Sequence, residues 1–205
     1  GPNLIEFTND LYITPNIYNN YIKILGKSFP SPLNDNYKKN YKFYLMDSTV
    51  NEDGKTYRIN FVPKFKRQIA VAGKMYIDSA TYAVKKVTLR FDIKANVNFI
   101  RSYYTIQKFK KVDGKYWLPS EINVVGDFTV VENASDLTGF FGRKHSVYSE
   151  YTVNQKVEKS KFKGLEQVVY LDNSLVQSEE FWARNRALEL TPEEVKLEEL
   201  TERII

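Results

Sequence analysis

The stretch "VAGKMYIDSATYAVKKVTLRF", residues 71–91, decides the fold. Val71, Gly73, Met75 and Ile77 share one parity, the turn "DSAT" follows, and Val87, Leu89 and Phe91 share one face of the next run, with Ile93 just beyond. Lys86, Thr88, Arg90 and Asp92 stand on the opposite parity. A period of two on both sides of a short turn describes two antiparallel strands with one dry and one wet face. The lone Gly73 inside the first strand predicts a bulge, a strong bend or a close backbone approach.

The same grammar extends in both directions. "YKFYLMDSTV" and "TYRINFVP" flank "NEDGK", a hairpin with Asp53 and Gly54 at its turn. Downstream, "VDGK" marks a second Asp-Gly turn, after which Leu118, Ile122, Val124, Phe128 and Val130 form an inward face. "ENASDLTGFFGR" reads as a loop, followed by a strand in which Val147, Tyr151, Val153 and Val157 alternate with polar residues. The expected fold is mainly β, an antiparallel, strongly curved sheet or half-barrel over residues 41–158, with short helices near both ends. Residues 160–177 add another strand, so the half-barrel domain is bounded at 41–177.

The two ends read differently. Residues 1–40 form an irregular or helical segment, punctuated by Pro15, Pro30 and Pro32, that packs on the sheet. Residues 178–205 form a helical connector. "SEEFWARNRALEL" predicts one short helix, and Thr191, Pro192 and Glu194 supply an N-cap, a first helical proline and a capping box for a second. Leu190 and Val195 are spaced as a staple, and Leu197, Leu200 and Ile204 make an apolar stripe that must pack on a partner.

Composition sets limits on function. Among 205 residues, 42% are hydrophobic and 15% aromatic, enough for a sizeable core. With no cysteine there is no disulfide, thiolate metal site or cysteine nucleophile. No apolar run approaches the ~20 residues of a spanning helix. Gly1-Pro2 reads as a protease-cleavage scar on a segment cut from a longer chain, so a missing targeting signal carries no weight. Residues 176–205 hold eight acidic and four basic side chains, a net of −4, leaving +9 on residues 1–175. Such a body can meet phosphate, a nucleic acid or an anionic membrane, or simply present a solvated lysine face.

Catalytic patterns are missing. The sequence has no glycine-rich phosphate loop, no nucleophile elbow and no histidine pair at metal-ligand spacing. His145 is the only histidine and reads as a rim residue without an orienting partner. Asp92, Asp127 and Glu150 fall on outward parity and read as solvated. "NEDG" and "ENASD" lack the alternating ligands of a calcium loop, so no metal or other cofactor is expected. Tyr103 and Tyr104 in "RSYYTIQKFKK" point to opposite faces, which leaves one ring for any stacking platform; nucleic acid is not an expected partner.

Two segments remain as contact candidates. Leu137, Phe140 and Phe141, followed by Arg143 and Lys144, either touch a ligand or lipid surface from a mobile loop or cap the open end of the core. Trp182, Arg184 and Arg186, with Leu197, Leu200 and Ile204, are candidates for contact with a partner or with a neighbouring part of the chain.

"VAGKMYIDSATYAVKKV" and "GKYWLPSEI" resemble strands of the lipoprotein-carrier half-barrels. A closer likeness, carried by "SPLNDNYKKNYKFYLMDS", "YRINFVPK", "GKMYIDSATYAV", "VNFIRSYYTIQKF" and "FWARNRALELTPEE", is to a Bacteroidota outer-membrane family of unknown function. Its members join a carboxypeptidase-regulatory-like β-sandwich, a central domain and a C-terminal transmembrane β-barrel. The resemblance implies a central domain on the periplasmic side of the outer membrane, with the sandwich and the barrel of the same parent chain as partners. The expected function is a non-enzymatic binding or scaffolding module, holding a lipid, an acylated or unfolded client, or the parent's other domains. The alternative is a carboxylate-based hydrolase acting on an envelope substrate.

Overall fold

The computed structural model describes residues 14–24, 27–65, 68–92, 100–129, 139–158, 177–186, 188–189 and 191–192. The chain forms two compact units, Gly1–Val168 and Val169–Ile205.

The first unit is built on a seven-stranded antiparallel meander. Its strands are β3 (Tyr41–Asn51), β4 (Gly54–Pro63), β5 (Ala72–Asp78), β6 (Val84–Asp92), β7 (Ile100–Val112), β8 (Tyr116–Thr129) and β9 (Gly139–Val147). They lie in the sheet in their order along the chain, so the sheet is open, with β3 and β9 at its edges. Before it come a small hairpin, β1 (Tyr21–Ile24) and β2 (Lys27–Pro30), and the one-turn helix α1 (Tyr37–Asn40).

The tight turns fall where glycine and aspartate were expected. Asn51 pairs with Gly54, which takes φ +97°, a left-handed value that glycine adopts without strain. Asp113 and Gly114, at φ 52° and 64°, turn the chain between Val112 and Tyr116. Between β5 and β6, Asp78 Oδ2 accepts hydrogen bonds from the amide and hydroxyl of Thr81, at 2.9 and 2.6 Å. That pair closes the "DSAT" turn.

Gly73 is explained by close approach. It pairs with Phe61 on one side and Leu89 on the other, at no break in register. A Cβ at this position would stand 1.8 Å from the Thr88 carbonyl oxygen and 2.8 Å from Phe61 Cζ. No side chain fits there. The bulges lie elsewhere, between Leu45 and Asp47, Tyr76 and Ile77, Ile100 and Ser102, and Lys108 and Phe109, and each adds local twist. The last of these shifts Leu118 to a position opposite Lys110, off the buried face that Ile122 and Val124 occupy.

The dry face follows the predicted parity, and the chain's own beginning covers it. Met75, Val87, Leu89 and Tyr103 share a continuous core with Ile17, Ile22 and Phe29 from the segment before β3. Phe29, fully buried, stacks on Phe91 at 5.1 Å, and Phe91 stacks on Tyr103 at 5.2 Å. Polar ties fix the cover in register. Gln107 Nε2 donates to the Pro15 carbonyl at 2.8 Å, and Val84 N donates to the Tyr18 hydroxyl at 3.1 Å. Ser31 Oγ donates to the Ile17 carbonyl. Burial raises the hydroxyl pKa of Tyr41 and Tyr103, so both stay neutral in the core.

In the second unit, the predicted short helix is α2 (Glu179–Asn185), capped by Ser178 Oγ, which accepts from Phe181 N at 3.2 Å. The capping box at Thr191 continues into residues 193–205, and the added strand would occupy 160–177; apart from Gln177, both lie outside the described residues, as do Leu190, Ile93 and Val130.

Candidate binding surface on the polar face

Alternation along β4 to β7 sends one set of side chains away from the core, and strand pairing then decides which of them meet. Lys74 pairs with Thr88, Tyr76 with Lys86, and Ala72 with Arg90. Arg90 in turn pairs with Tyr104 on β7. These residues, with Asn60 and Val62 from β4, line a cavity of about 390 Å³. Lys86 Nζ lies 5.4 Å from the Tyr76 ring centre, a cation–π contact. Thr88 Oγ1 accepts a hydrogen bond from Lys74 N at 3.1 Å. The lining holds three cations and two tyrosines, with no carboxylate and no histidine.

A second polar group spans β7, β8 and β9. Lys108 Nζ donates to Glu121 Oε2 at 2.6 Å, and Asn123 Nδ2 donates to Glu121 Oε1 at 3.0 Å. His145 Nε2 lies 3.3 Å from the same carboxylate. The Lys108 hydrogen bond holds the Glu121 carboxyl below its ordinary range, with the Lys108 and His145 charges acting in the same direction. His145 therefore does have an acidic neighbour, contrary to the sequence reading. The relationship was hidden because it depends on β9 pairing with β8. On the other edge, Arg58 and Asp47 form an ion pair at 2.6 Å.

The glycine-flanked segment is a strand, which corrects the mobile-loop reading. Phe140 pairs with Phe128, Phe141 with Asp127, Arg143 with Val125 and Lys144 with Val124. Two glycines and two phenylalanines looked like a loop, but β8 offers a full row of backbone partners, and pairing overrides local propensity. Arg143 is exposed, whereas Lys144 is half-buried, and desolvation pushes its amine pKa down. The strand predicted around residues 147–157 is irregular, broken by positive φ at Glu150 and Asn154. There Tyr151 is anchored through its hydroxyl, which donates to the Pro119 carbonyl. Asp127 is half-buried and Glu150 exposed. Leu137 lies outside the described residues.

Trp182, Arg184 and Arg186 belong to the second unit. Trp182 is exposed and meets Phe181 edge-on at 5.4 Å. Leu197, Leu200 and Ile204 lie outside the described residues. Among the described residues, no three His, Asp or Glu side chains gather closely enough to hold a metal ion.

The profile of a family of unknown function, DUF5686, matches residues 1–151, which takes in the N-terminal cover and all seven strands of the sheet. No curated protein and no solved structure matches the chain.

Proposed function

The chain belongs to the DUF5686 family of unknown function, and we propose that this domain is a non-enzymatic binding or scaffolding module on the periplasmic side of the outer membrane. In this reading it is the central part of a Bacteroidota outer-membrane protein, between a carboxypeptidase-regulatory-like β-sandwich and a transmembrane β-barrel. In this reading the open antiparallel sheet bends toward a strongly curved sheet or half-barrel, a shape that its four register shifts would favour.

One observation carries the choice of scaffold over interior carrier. The apolar face, where a carrier would hold an acyl chain, is filled by the chain's own Ile17, Ile22 and Phe29. A lipid or acylated client held there must first displace Phe29 from its stack on Phe91. The edge strand β3 adds support, since Leu45, Met46 and Val50 are exposed along it.

Co-expression of this domain with the parent's barrel as separate polypeptides tests the reading. A complex that survives purification is expected, and native mass spectrometry should give the domain a bare mass. A stoichiometric co-purifying lipid would replace scaffolding with carriage. The proximity of His145 Nε2 to Glu121, 3.3 Å, is the observation that speaks for the alternative, a carboxylate-based hydrolase. Turnover of envelope material by the native domain, abolished in Glu121→Gln, would establish that alternative.

A further inference from the structure

We infer that the polar-face cavity binds a phosphate monoester, seated over Thr88 among Lys74, Lys86 and Arg90. The site stands apart from the scaffolding role and follows from register. Thr88 is the central residue: Lys86 and Arg90 lie two positions either way along β6, about 7 Å off, on the same face. Lys74 lies directly across from it on β5. The three cations therefore form a triangle, with Thr88 midway along the side that joins Lys86 and Arg90.

Thr88 Oγ1 already accepts the Lys74 amide proton, so its own O–H is left to donate. Tyr76 beside Lys86 and Tyr104 beside Arg90 wall the two ends and bring further hydroxyls. Every charged group in the lining is a donor.

The charge balance selects the ligand. Lys86 also faces Lys108 directly across the β6–β7 pair, an arrangement of like charges that weakens a sheet. Lys108 is compensated by Glu121, and Lys86 leans on the Tyr76 ring. Among the described residues, no carboxylate within ion-pair distance compensates Lys74 or Arg90. A phosphate monoester, with about −1.5 to −2 charges and three acceptor oxygens, matches three cations and a hydroxyl donor better than a single carboxylate does. Arginine in the set favours it further, because its planar fork fits two phosphate oxygens at once.

The group can arrive free in solution or on a lipid headgroup, and two arms separate these sources. The full chain is titrated with inorganic phosphate by NMR, following the amides of residues 74, 86, 88 and 90, and by sedimentation with phosphatidylcholine vesicles with and without phosphatidic acid. Saturable shifts confined to those amides are expected, with affinity falling as salt rises. Lys86→Gln and Arg90→Gln should each weaken binding about tenfold, the loss of one charge-assisted hydrogen bond. Thr88→Val should weaken it several-fold, while Lys23→Gln on the small hairpin should have no effect. Binding in the phosphate arm assigns a soluble ligand, and binding only to phosphatidic acid vesicles assigns a headgroup. The site is refuted by no saturable binding in either arm, or by equal loss in Lys23→Gln. The amide shifts on the native chain decide the matter even if a variant folds poorly.

Discussion

The Phe61 ring closes over Gly73, its Cζ standing 2.8 Å from where a Cβ at residue 73 would be, with the Thr88 carbonyl nearer still at 1.8 Å. The first contact involves a side chain that can move; the second involves backbone of a central strand that cannot. Gly73→Ala should therefore cost about 3 kcal/mol or prevent folding, as overpacking in a closed core does. Adding Phe61→Leu should not rescue it. Urea denaturation of the two variants checks both statements, and a Gly73→Ala midpoint equal to the native one would contradict them.

Asp78 holds the next turn in a pH-dependent way. The Thr81 hydroxyl hydrogen bond, aided by its amide and by the charges of Lys85 and Lys111, lowers the carboxyl pKa against a smaller opposing effect of burial. Asp78 is buried in its own turn, and desolvation opposes the lowering without reversing it. Because the folded pKa lies below the unfolded one, the stabilisation is fully present above about pH 4 and is lost as pH falls through the folded value. Asp78→Ala should cost about 1–2 kcal/mol at pH 7. Denaturation midpoints from pH 7 to pH 2.5 should fall less steeply in the variant than in the native chain.

The N-terminal cover contributes to the stability of the sheet beneath it. Phe29 is fully buried, so Phe29→Ala should cost about 3–5 kcal/mol in one cooperative transition. Amides of β6 and β7 should lose hydrogen-exchange protection together with those of β1 and β2. Loss confined to the small hairpin would show that the cover is a dispensable appendage.

Parity made most of the sheet legible: the buried set Met75, Val87, Leu89 and Phe91 follows directly from alternation, and both Asp-Gly turns fall close to their expected places. What parity cannot supply is which strand lies beside which and at what offset. The bulge at Lys108 and Phe109 moves Leu118 out of the inward set, and β9 is invisible until β8 offers it backbone partners. The cavity had the same obstacle. Lys74, Lys86 and Arg90 each read as one more lysine or arginine on a wet face, and only the register Lys74–Thr88 and Tyr76–Lys86 gathers them.

The ion pair of Lys108 and Glu121 should prove minor for stability despite its 2.6 Å separation, because Lys108 is 46% exposed. Glu121→Gln is expected to cost less than about 1 kcal/mol, and still less at high salt. Its folded pKa is lowered, so whatever it contributes is present above the unfolded glutamate value and lost as pH falls through the folded one. Comparing Glu121→Gln with the native chain at low and high ionic strength separates this pair from the more sheltered Asp78 turn.

The strands follow one another in space as they do along the chain, yet the segment that covers their apolar face comes first. Synthesis releases Ile17, Ile22 and Phe29 well before Tyr103, Ile122 and Val124 exist to receive them. At ordinary elongation rates that interval is roughly 5 to 20 seconds. During it these apolar side chains lack part of the surface that later buries them. The sheet can pair strand by strand, but its apolar face is fully covered only once this early segment lies over it.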